Sequence, residues 1–311
     1  MLNKIRIISR KSELAMCQAD MAKKSLLKLY PKITVEITGT TTSGDKFLAK
    51  PLATVGGKGL FVKELEQAML DNRADIAVHS MKDVPVELPK QLCLNVILAR
   101  EDARDVFVSK RYQRIEDMPA NSIIGTSSLR RQSLIKVIHP KLQVNLLRGN
   151  VLTRLKKLDN DEYDGIILAA AGLKRLQLTD RIRHYLNETA FIPAVGQGAI
   201  GIECRRTDSQ LRDLLKKLND PTTKKCITAE RALNQHLQGG CSVPIGGHAT
   251  INDAQLTLNA FVAYPDGSKI VKGTEQGEAS MASEIGKSLA VRLLSMGADK
   301  ILRDTYREYG H

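Results

Sequence analysis

The sequence predicts an α/β protein whose last third turns to α+β order. Three observations carry this. Residues 100–199 hold three strand-then-helix units in succession, with strands at Ile123–Thr126, Gln143–Leu147 and Tyr163–Ala169, and such alternation is the pattern of a parallel sheet. Ala199–Glu203 then reads as a strand that rejoins an earlier lobe. Beyond it, His248–Asn252, Leu256–Tyr264 and Lys269–Glu275 read as three short strands before one amphipathic helix at Met281–Ser295.

The elements follow in order. Ile5–Ser9 reads as a short buried strand, and Ser12 as the N-cap of a helix reaching about Leu29. Ile33–Thr38 alternates, with Ile33, Val35 and Ile37 on one face. Thr40–Lys46 is a polar loop with turn residues. Gly56-Gly-Lys-Gly59 opens a helix over Leu60–Asn72, with Phe61, Leu65 and Met69 on one side; its spacing is not that of a P-loop. Asp75–His79 is a compact strand ending in Ser80-Met-Lys-Asp-Val-Pro85. Leu92–Ala99 and Val106–Ser109 are further strands, and the charged run Arg100–Asp105 between them is a crossing point between lobes. Helices follow at Ser209–Leu218 and Thr222–Leu237.

Ligands of open α/β sheets gather beyond the carboxyl ends of the strands, which is where Lys82 and Asp83 fall; an ion pair between neighbouring loop residues is the other reading. Ser127-Ser-Leu-Arg-Arg131 starts a helix, and a helix N-terminus with hydroxyls and two arginines suits an anion. Arg148, Arg154 and Arg175 recur at equivalent places in the next two units. Any one of them suits a solvated face; the repetition points to a shared anionic ligand.

The 311 residues carry a net charge of +13, which calls for an anionic partner. Aromatic residues make up 4% and tryptophan is absent, so the stacking platforms of a nucleic-acid binder are missing. No apolar run approaches the roughly 18 residues of a membrane helix. The N-terminus has no signal-peptide pattern, and a cytoplasmic location is expected. Five cysteines at wide spacing make no zinc ribbon or disulfide framework, and the six histidines form no ligand pair, so no metal is expected. Cys17, Cys93, Cys204 and Cys226 sit in apolar or helix-like stretches. Cys241 differs. It lies in Gln238-Gly-Gly-Cys-Ser-Val-Pro-Ile-Gly-Gly247, between two glycine pairs and before a proline. The residues alone leave two readings, a packed small side chain or a presented thiol.

Ser80-Met-Lys-Asp-Val-Pro85, Gly125-Thr-Ser-Ser-Leu-Arg-Arg131, Leu147-Arg-Gly-Asn-Val151 with Thr153-Arg-Leu155, and Gly239-Gly-Cys-Ser-Val-Pro-Ile245 together resemble the porphobilinogen deaminase (hydroxymethylbilane synthase) family, from Ile5 to the final helix. Val55–Leu65 and Pro193-Ala-Val-Gly-Gln-Gly198 agree. The resemblance implies two periplasmic-binding-protein-like lobes plus a smaller α+β C-terminal domain. In this chain they would be 1–99 with 200–216, then 100–199, then 217–311. It implies a deaminating transferase of haem and other tetrapyrrole biosynthesis, which joins four porphobilinogen molecules into linear hydroxymethylbilane. The chain would grow on a dipyrromethane primer held by a thioether to Cys241. The resemblance makes Asp83 the catalytic carboxylate. It places Arg10, Ser12, Gln18, Lys58, Ser80, Lys82, Thr126, Ser128, Arg130, Arg131, Arg148, Arg154 and Arg175 around primer and substrate. It also implies a monomer acting on a small molecule, with no nucleic acid or membrane partner.

The chemistry is consistent. Loss of ammonia leaves an electron-poor cation that a carboxylate can stabilise. Each pyrrole carries an acetate and a propionate, which accounts for many arginines. The chain departs from the family pattern at Glu13, where proline is frequent, and at Cys17, where tryptophan is common; both bear on packing of the first helix. A two-lobed anion-binding protein without chemistry would share the first 200 residues, and a nucleic-acid binder would share the charge.

Overall fold

The computed structural model describes residues 3–46, 59–239 and 243–309. In chain order the strands and α-helices are β1 (Lys4–Arg10), α1 (Glu13–Leu29), β2 (Thr34–Thr40), α2 (Ser43–Lys46), α3 (Lys63–Leu70), β3 (Ile76–Ser80), β4 (Leu92–Ile97), β5 (Asp105–Val108), β6 (Ile123–Gly125), α4 (Leu129–Ile138), β7 (Gln143–Asn145), α5 (Val151–Asp159), β8 (Gly165–Ala169), α6 (Ala170–Arg175), β9 (His184–Tyr185), β10 (Ile200–Arg205), α7 (Ser209–Leu215), α8 (Pro221–His236), β11 (Ile245–Asn252), β12 (Gln255–Ala263), β13 (Ile270–Glu278), α9 (Ala282–Leu293) and α10 (Asp299–Tyr309). The chain forms two compact units: Met1–Phe47 with Lys58–Glu101 and Gly198–Lys224, and the remainder.

The first unit is built on a sheet of order β2-β1-β3-β10-β4. β1 runs parallel to β2 and β3, and β10 runs antiparallel to β3 and β4. The returning strand expected from residue 199 therefore enters this sheet between β3 and β4. Helix α1 begins where Ser12 accepts a hydrogen bond from the Ala15 N–H at 3.3 Å, satisfying a donor that the first turn leaves unpaired. It buries Ala19, Ala22 and Leu26 against Ile5, Ile7, Val78, Ile200 and Ile202, an apolar contact that supplies the main driving force for this lobe.

The second unit holds a sheet of order β7-β6-β8-β5-β9. The expected parallel sheet is mixed: β6 is parallel to β7 and β8, while β5 is antiparallel to β8 and β9. Alternating strands and helices report parallel crossovers, but β5 is reached by the charged run and not through a helix, so the alternation does not govern its direction. Around Phe107, Ile124, Leu134 and Ile167 the core is fully buried.

The last part is an antiparallel meander, β11-β12-β13, whose Leu256, Leu258 and Val271 pack with Leu233 of α8 and Leu289 and Leu293 of α9. The α+β expectation holds here. Three elements differ from the sequence reading. Residues 43–46 form the short helix α2 inside the expected loop. The helix expected over Leu60–Asn72 is confined to Lys63–Leu70, leaving Phe61 outside it. The final helix does not end the chain: a turn carrying Gly297 at φ +100° leads into α10. That left-handed backbone, open to glycine, redirects the chain and lets a second helix follow.

Candidate functional site

β1 and β3 are adjacent and parallel, so their carboxyl ends open on one edge of the first sheet. A pocket at that edge is lined by Arg10, Ser12, Gln18, His79, Lys82 and Asp83, with Phe61 and Ser80 among its other walls. The chain makes a tight turn over Met81–Asp83 directly after β3, held by the Met81 N–H donating to the Ala199 carbonyl at 3.0 Å. The turn is what brings Lys82 and Asp83 to the pocket. Gln18, buried on α1, donates through Nε2 to Ser80 Oγ at 2.8 Å.

Arg10 links the parts. Its Nε donates to Asp45 Oδ2 at 3.2 Å and its Nη2 to Asp45 Oδ1. Its Nη1 stands 3.7 Å from Asp83 Oδ2, and the guanidinium lies 4.4 Å from the centroid of the Phe61 ring. Burial works against its charge, but the Asp45 hydrogen bond and the Asp83 charge outweigh this and hold Arg10 above its ordinary value. Asp45 is buried in a way that would raise it, yet Arg10 and Thr42 hold it below the usual carboxylate range. The Asp83 side chain keeps 28% exposure. A ligand can therefore reach a carboxylate oriented by a fixed cation.

Behind the pocket, His79 Nε2 meets Glu203 Oε2 at 3.0 Å in a buried pair, and Glu66 of α3 is buried nearby. Burial, and then the Glu203 charge, raise the Glu66 carboxyl to about 7.

In the second unit, Ser128 caps α4, accepting from the Arg131 N–H at 3.4 Å, and the Ser128 N–H donates to Thr126 Oγ1 at 3.1 Å. Arg130 and Arg131 turn inward. Both reach the fully buried Asp105: Arg130 Nη2 at 2.7 Å, Arg131 Nη2 at 2.7 Å and Arg131 Nε at 3.0 Å. Arg130 Nη1 also donates to the Ile192 carbonyl and Arg131 Nη1 to that of Ile167. Gln197 Nε2 adds a fourth donor to Asp105 at 3.0 Å. Arg148 follows β7 and is buried, which lowers its guanidinium below the ordinary value. Arg154 on α5 donates through Nε to the Gly149 carbonyl at 2.8 Å, and Arg175 closes α6.

The first unit thus brings together Arg10, Ser12, Gln18, Ser80, Lys82 and Asp83, and the second gathers Thr126, Ser128, Arg130 and Arg131 at one helix start. Cys241 and Lys58 lie outside the described residues. Cys93, Cys204 and Cys226 are buried, as their apolar surroundings suggested. Among the described residues no group of histidine, cysteine and carboxylate side chains could hold a metal.

Sequence reasoning missed Asp45, Phe61, His79 and Asp105. A signal existed for Asp105, a lone carboxylate opening an apolar strand. None existed for Asp45, whose partner is 35 residues away.

Two family models match the chain. Residues 5–213 match the porphobilinogen deaminase, dipyrromethane cofactor binding domain, and residues 224–295 match the porphobilinogen deaminase, C-terminal domain. Among solved structures, a putative methionine-binding lipoprotein of Bacillus subtilis aligns at 12% identity over 70% of this chain and 90% of that one, with a TM-score of 0.43. A periplasmic substrate-binding protein of Coxiella burnetii gives 12%, 69% and 91%, with 0.45. The aliphatic sulphonate binding protein SsuA of Escherichia coli gives 12%, 76% and 71%, with 0.41.

Proposed function

The chain belongs to the porphobilinogen deaminase family, and on that premise we propose that the pocket of Arg10, Ser12, Gln18, Ser80, Lys82 and Asp83 is where its reaction takes place. The family's reaction is the polymerisation of porphobilinogen into hydroxymethylbilane, in tetrapyrrole biosynthesis, on a dipyrromethane cofactor. The observation that carries the site is Asp83 at the end of β3, 3.7 Å from a cation that Asp45 and Phe61 hold in place.

The donors fit the cofactor. Its ring carboxylates suit Arg10 and Lys82, and its pyrrole N–H groups suit Asp83; Ser12 and Ser80 offer hydroxyls. When bound, the cofactor supplies the carbon nucleophile to which the first substrate is joined. Asp83 then accepts the pyrrole N–H groups of the incoming ring and stabilises the positive charge left as ammonia departs. Arg10 orients Asp83. Thr126, Ser128, Arg148, Arg154 and Arg175 bind acetate and propionate groups. Arg130 and Arg131, engaged by Asp105, hold the start of α4 in position and offer their remaining capacity to a carboxylate.

Cys241 is the attachment point in this reading, carried by a third domain that begins near residue 217. The family resemblance assigns Lys58 to primer and substrate binding. The chain acts as a cytoplasmic monomer on a small-molecule substrate, a reading supported by the family resemblance.

Asp83→Asn tests the site. It should cut kcat by about 100-fold or more with KM and thermal stability little changed; near-normal turnover would reject it. Intact-mass measurement tests the anchor. Cys241→Ser should carry no dipyrromethane and Cys17→Ser should carry it; an adduct retained by Cys241→Ser would reject the assignment.

A further inference from the structure

Two motifs of the sequence, Pro193-Ala-Val-Gly-Gln197 and the glycine pair Gly246-Gly247, meet in the second unit around one buried carboxyl. Glu230 on α8 has 0% exposure. Its Oε2 accepts the Gly196 N–H at 2.7 Å, and its Oε1 accepts the Ala249 N–H at 2.8 Å. The first donor sits in a turn closed by the Gln197 N–H on the Ala194 carbonyl at 3.0 Å, with Gly196 in the left-handed region at φ +76°. The second belongs to β11, an edge strand whose ladder partner is β12. Residues two apart on a strand face the same way, and from that same open edge Gly247 donates to the Pro193 carbonyl at 3.0 Å. The glycines make the room. A Cβ on Gly246 would stand 3.0 Å from the Ile192 carbonyl oxygen, and one on Gly247 would stand 3.0 Å from Val195.

The same segment reaches the arginine pair. Ile192 offers its carbonyl to Arg130 Nη1 at 2.7 Å. Gln197 Nε2 donates to Asp105 Oδ1 at 3.0 Å and to the Ala103 carbonyl at 2.6 Å. Asp105 in turn holds Arg130 and Arg131 at the start of α4. One strap of chain, residues 192–197, thus runs from the arginine pair to the edge of β11. That strand begins at Ile245, directly downstream of the Cys241 loop.

We propose that Glu230 is a positioning residue of the reaction: by joining the Ala194–Gln197 turn to the edge of β11, it fixes the strand that leads out of the Cys241 loop relative to Arg130 and Arg131. This rests on reading Cys241 as the anchor of the cofactor. The carboxyl gives each backbone donor an acceptor. An amide in its place turns one acceptor into a donor that faces an N–H, and strap and strand must shift apart. A displacement of about 1 Å remote from the chemistry is enough to slow a reaction by about 100-fold.

Uptake of dipyrromethane by the full-length chain tests this. The protein is purified free of cofactor, given porphobilinogen and weighed intact at intervals, at a temperature where circular dichroism shows each variant folded. Glu230→Gln should load about tenfold to 100-fold more slowly than the wild type, and Glu230→Asp, which keeps both acceptors, should recover part of the rate. Leu302→Ala empties part of the core beneath β12 and α9 without touching the strap, and should load at close to the wild-type rate. Gln197→Leu cuts the strap at its other end and should load slowly, which keeps the test open if Glu230→Gln does not fold. Joined to a folded Glu230→Gln, it should add little to the defect, because both act through one strap. Wild-type loading by Glu230→Gln, or by Gln197→Leu where the first variant does not fold, would overturn the proposal. Equal slowing by Leu302→Ala would overturn it too, by reducing the effect to lost stability. An adduct retained by Cys241→Ser would instead reject the anchor.

Discussion

Arg131 and Asp105 form a forked contact in which both Nε and Nη2 of the arginine reach Oδ1 of the carboxylate, at 3.0 and 2.7 Å, with neither group exposed to water. Burial alone would raise the Asp105 carboxyl, but Arg130 and Arg131 outweigh it and hold it below the usual range. Asp105→Asn keeps the shape and removes the charge, leaving two buried guanidinium groups facing a neutral amide. It should destabilise the protein by about 3–5 kcal/mol, read from urea denaturation. A loss below about 1 kcal/mol would mean that other groups neutralise those arginines.

Arg10→Lys retains the charge and loses the fork. A lysine cannot match both oxygens of Asp45 while lying over Phe61. With Asp83 no longer held by a fixed partner, kcat/KM should fall by about tenfold to 100-fold and thermal stability by less than about 1 kcal/mol. Steady-state kinetics alongside a melting curve separate the two effects.

Asp102 gives a pH signature. Arg104 donates to it through Nε at 3.0 Å and Nη2 at 2.7 Å, and these bonds, with Lys174 nearby, lower its carboxyl to about 2. The unfolded value is near 4. The stabilisation is therefore complete above about pH 4 and fades as pH falls toward 2. Its size, reduced by solvent around Arg104, is about 1 kcal/mol. Asp102→Asn should remove that amount at neutral pH and almost nothing near pH 2, as chemical denaturation at both values would reveal.

Gly286 lies where α9 crosses α8. A Cβ there would fall well inside contact distance of the Ala229 carbonyl oxygen and against Ala232. Backbone cannot swing aside as a flexible side chain does, so the helices must separate. Gly286→Ala should cost about 1–3 kcal/mol, despite alanine's better helix propensity; a stabilised variant would show that the two helices part freely.

Much of this was legible in the residues. Ser12 is the N-cap its position suggested, and a helix starts within Ser127–Arg131 as expected, because capping is decided within three or four residues. Strands β1, β3 and β10 were visible as compact apolar runs. The meander was visible from its turns at Asn252-Asp253 and Pro265–Gly267. The Ser80–Pro85 motif pointed to a strand end, and the pocket is there. What stayed hidden is long-range. The direction of β5 depends on how the chain arrives, which leaves no mark in local periodicity. Asp105 and Arg131 are 26 positions apart, and His79 and Glu203 are 124 apart. No spacing rule connects such pairs. Helix α10 was missed because the last amphipathic stretch was placed at Met281–Ser295, and nothing in local periodicity shows that the left-handed Gly297 is a corner leading into a further helix.

The position of β10 has a consequence for how this protein is made. It lies between β3 and β4, yet follows them by roughly a hundred residues of intervening chain. A ribosome that has delivered everything through β4 has produced the β2-β1-β3 sheet with the edge of β3 open and β4 still without its one pairing neighbour. Those edges stay open while the whole of residues 102–197 is synthesised, and only then can the missing strand pair with both. The nascent chain thus carries a prolonged window in which chaperones, proteases or a neighbouring copy compete for the open edges, and the first lobe becomes protease-resistant after the second has emerged.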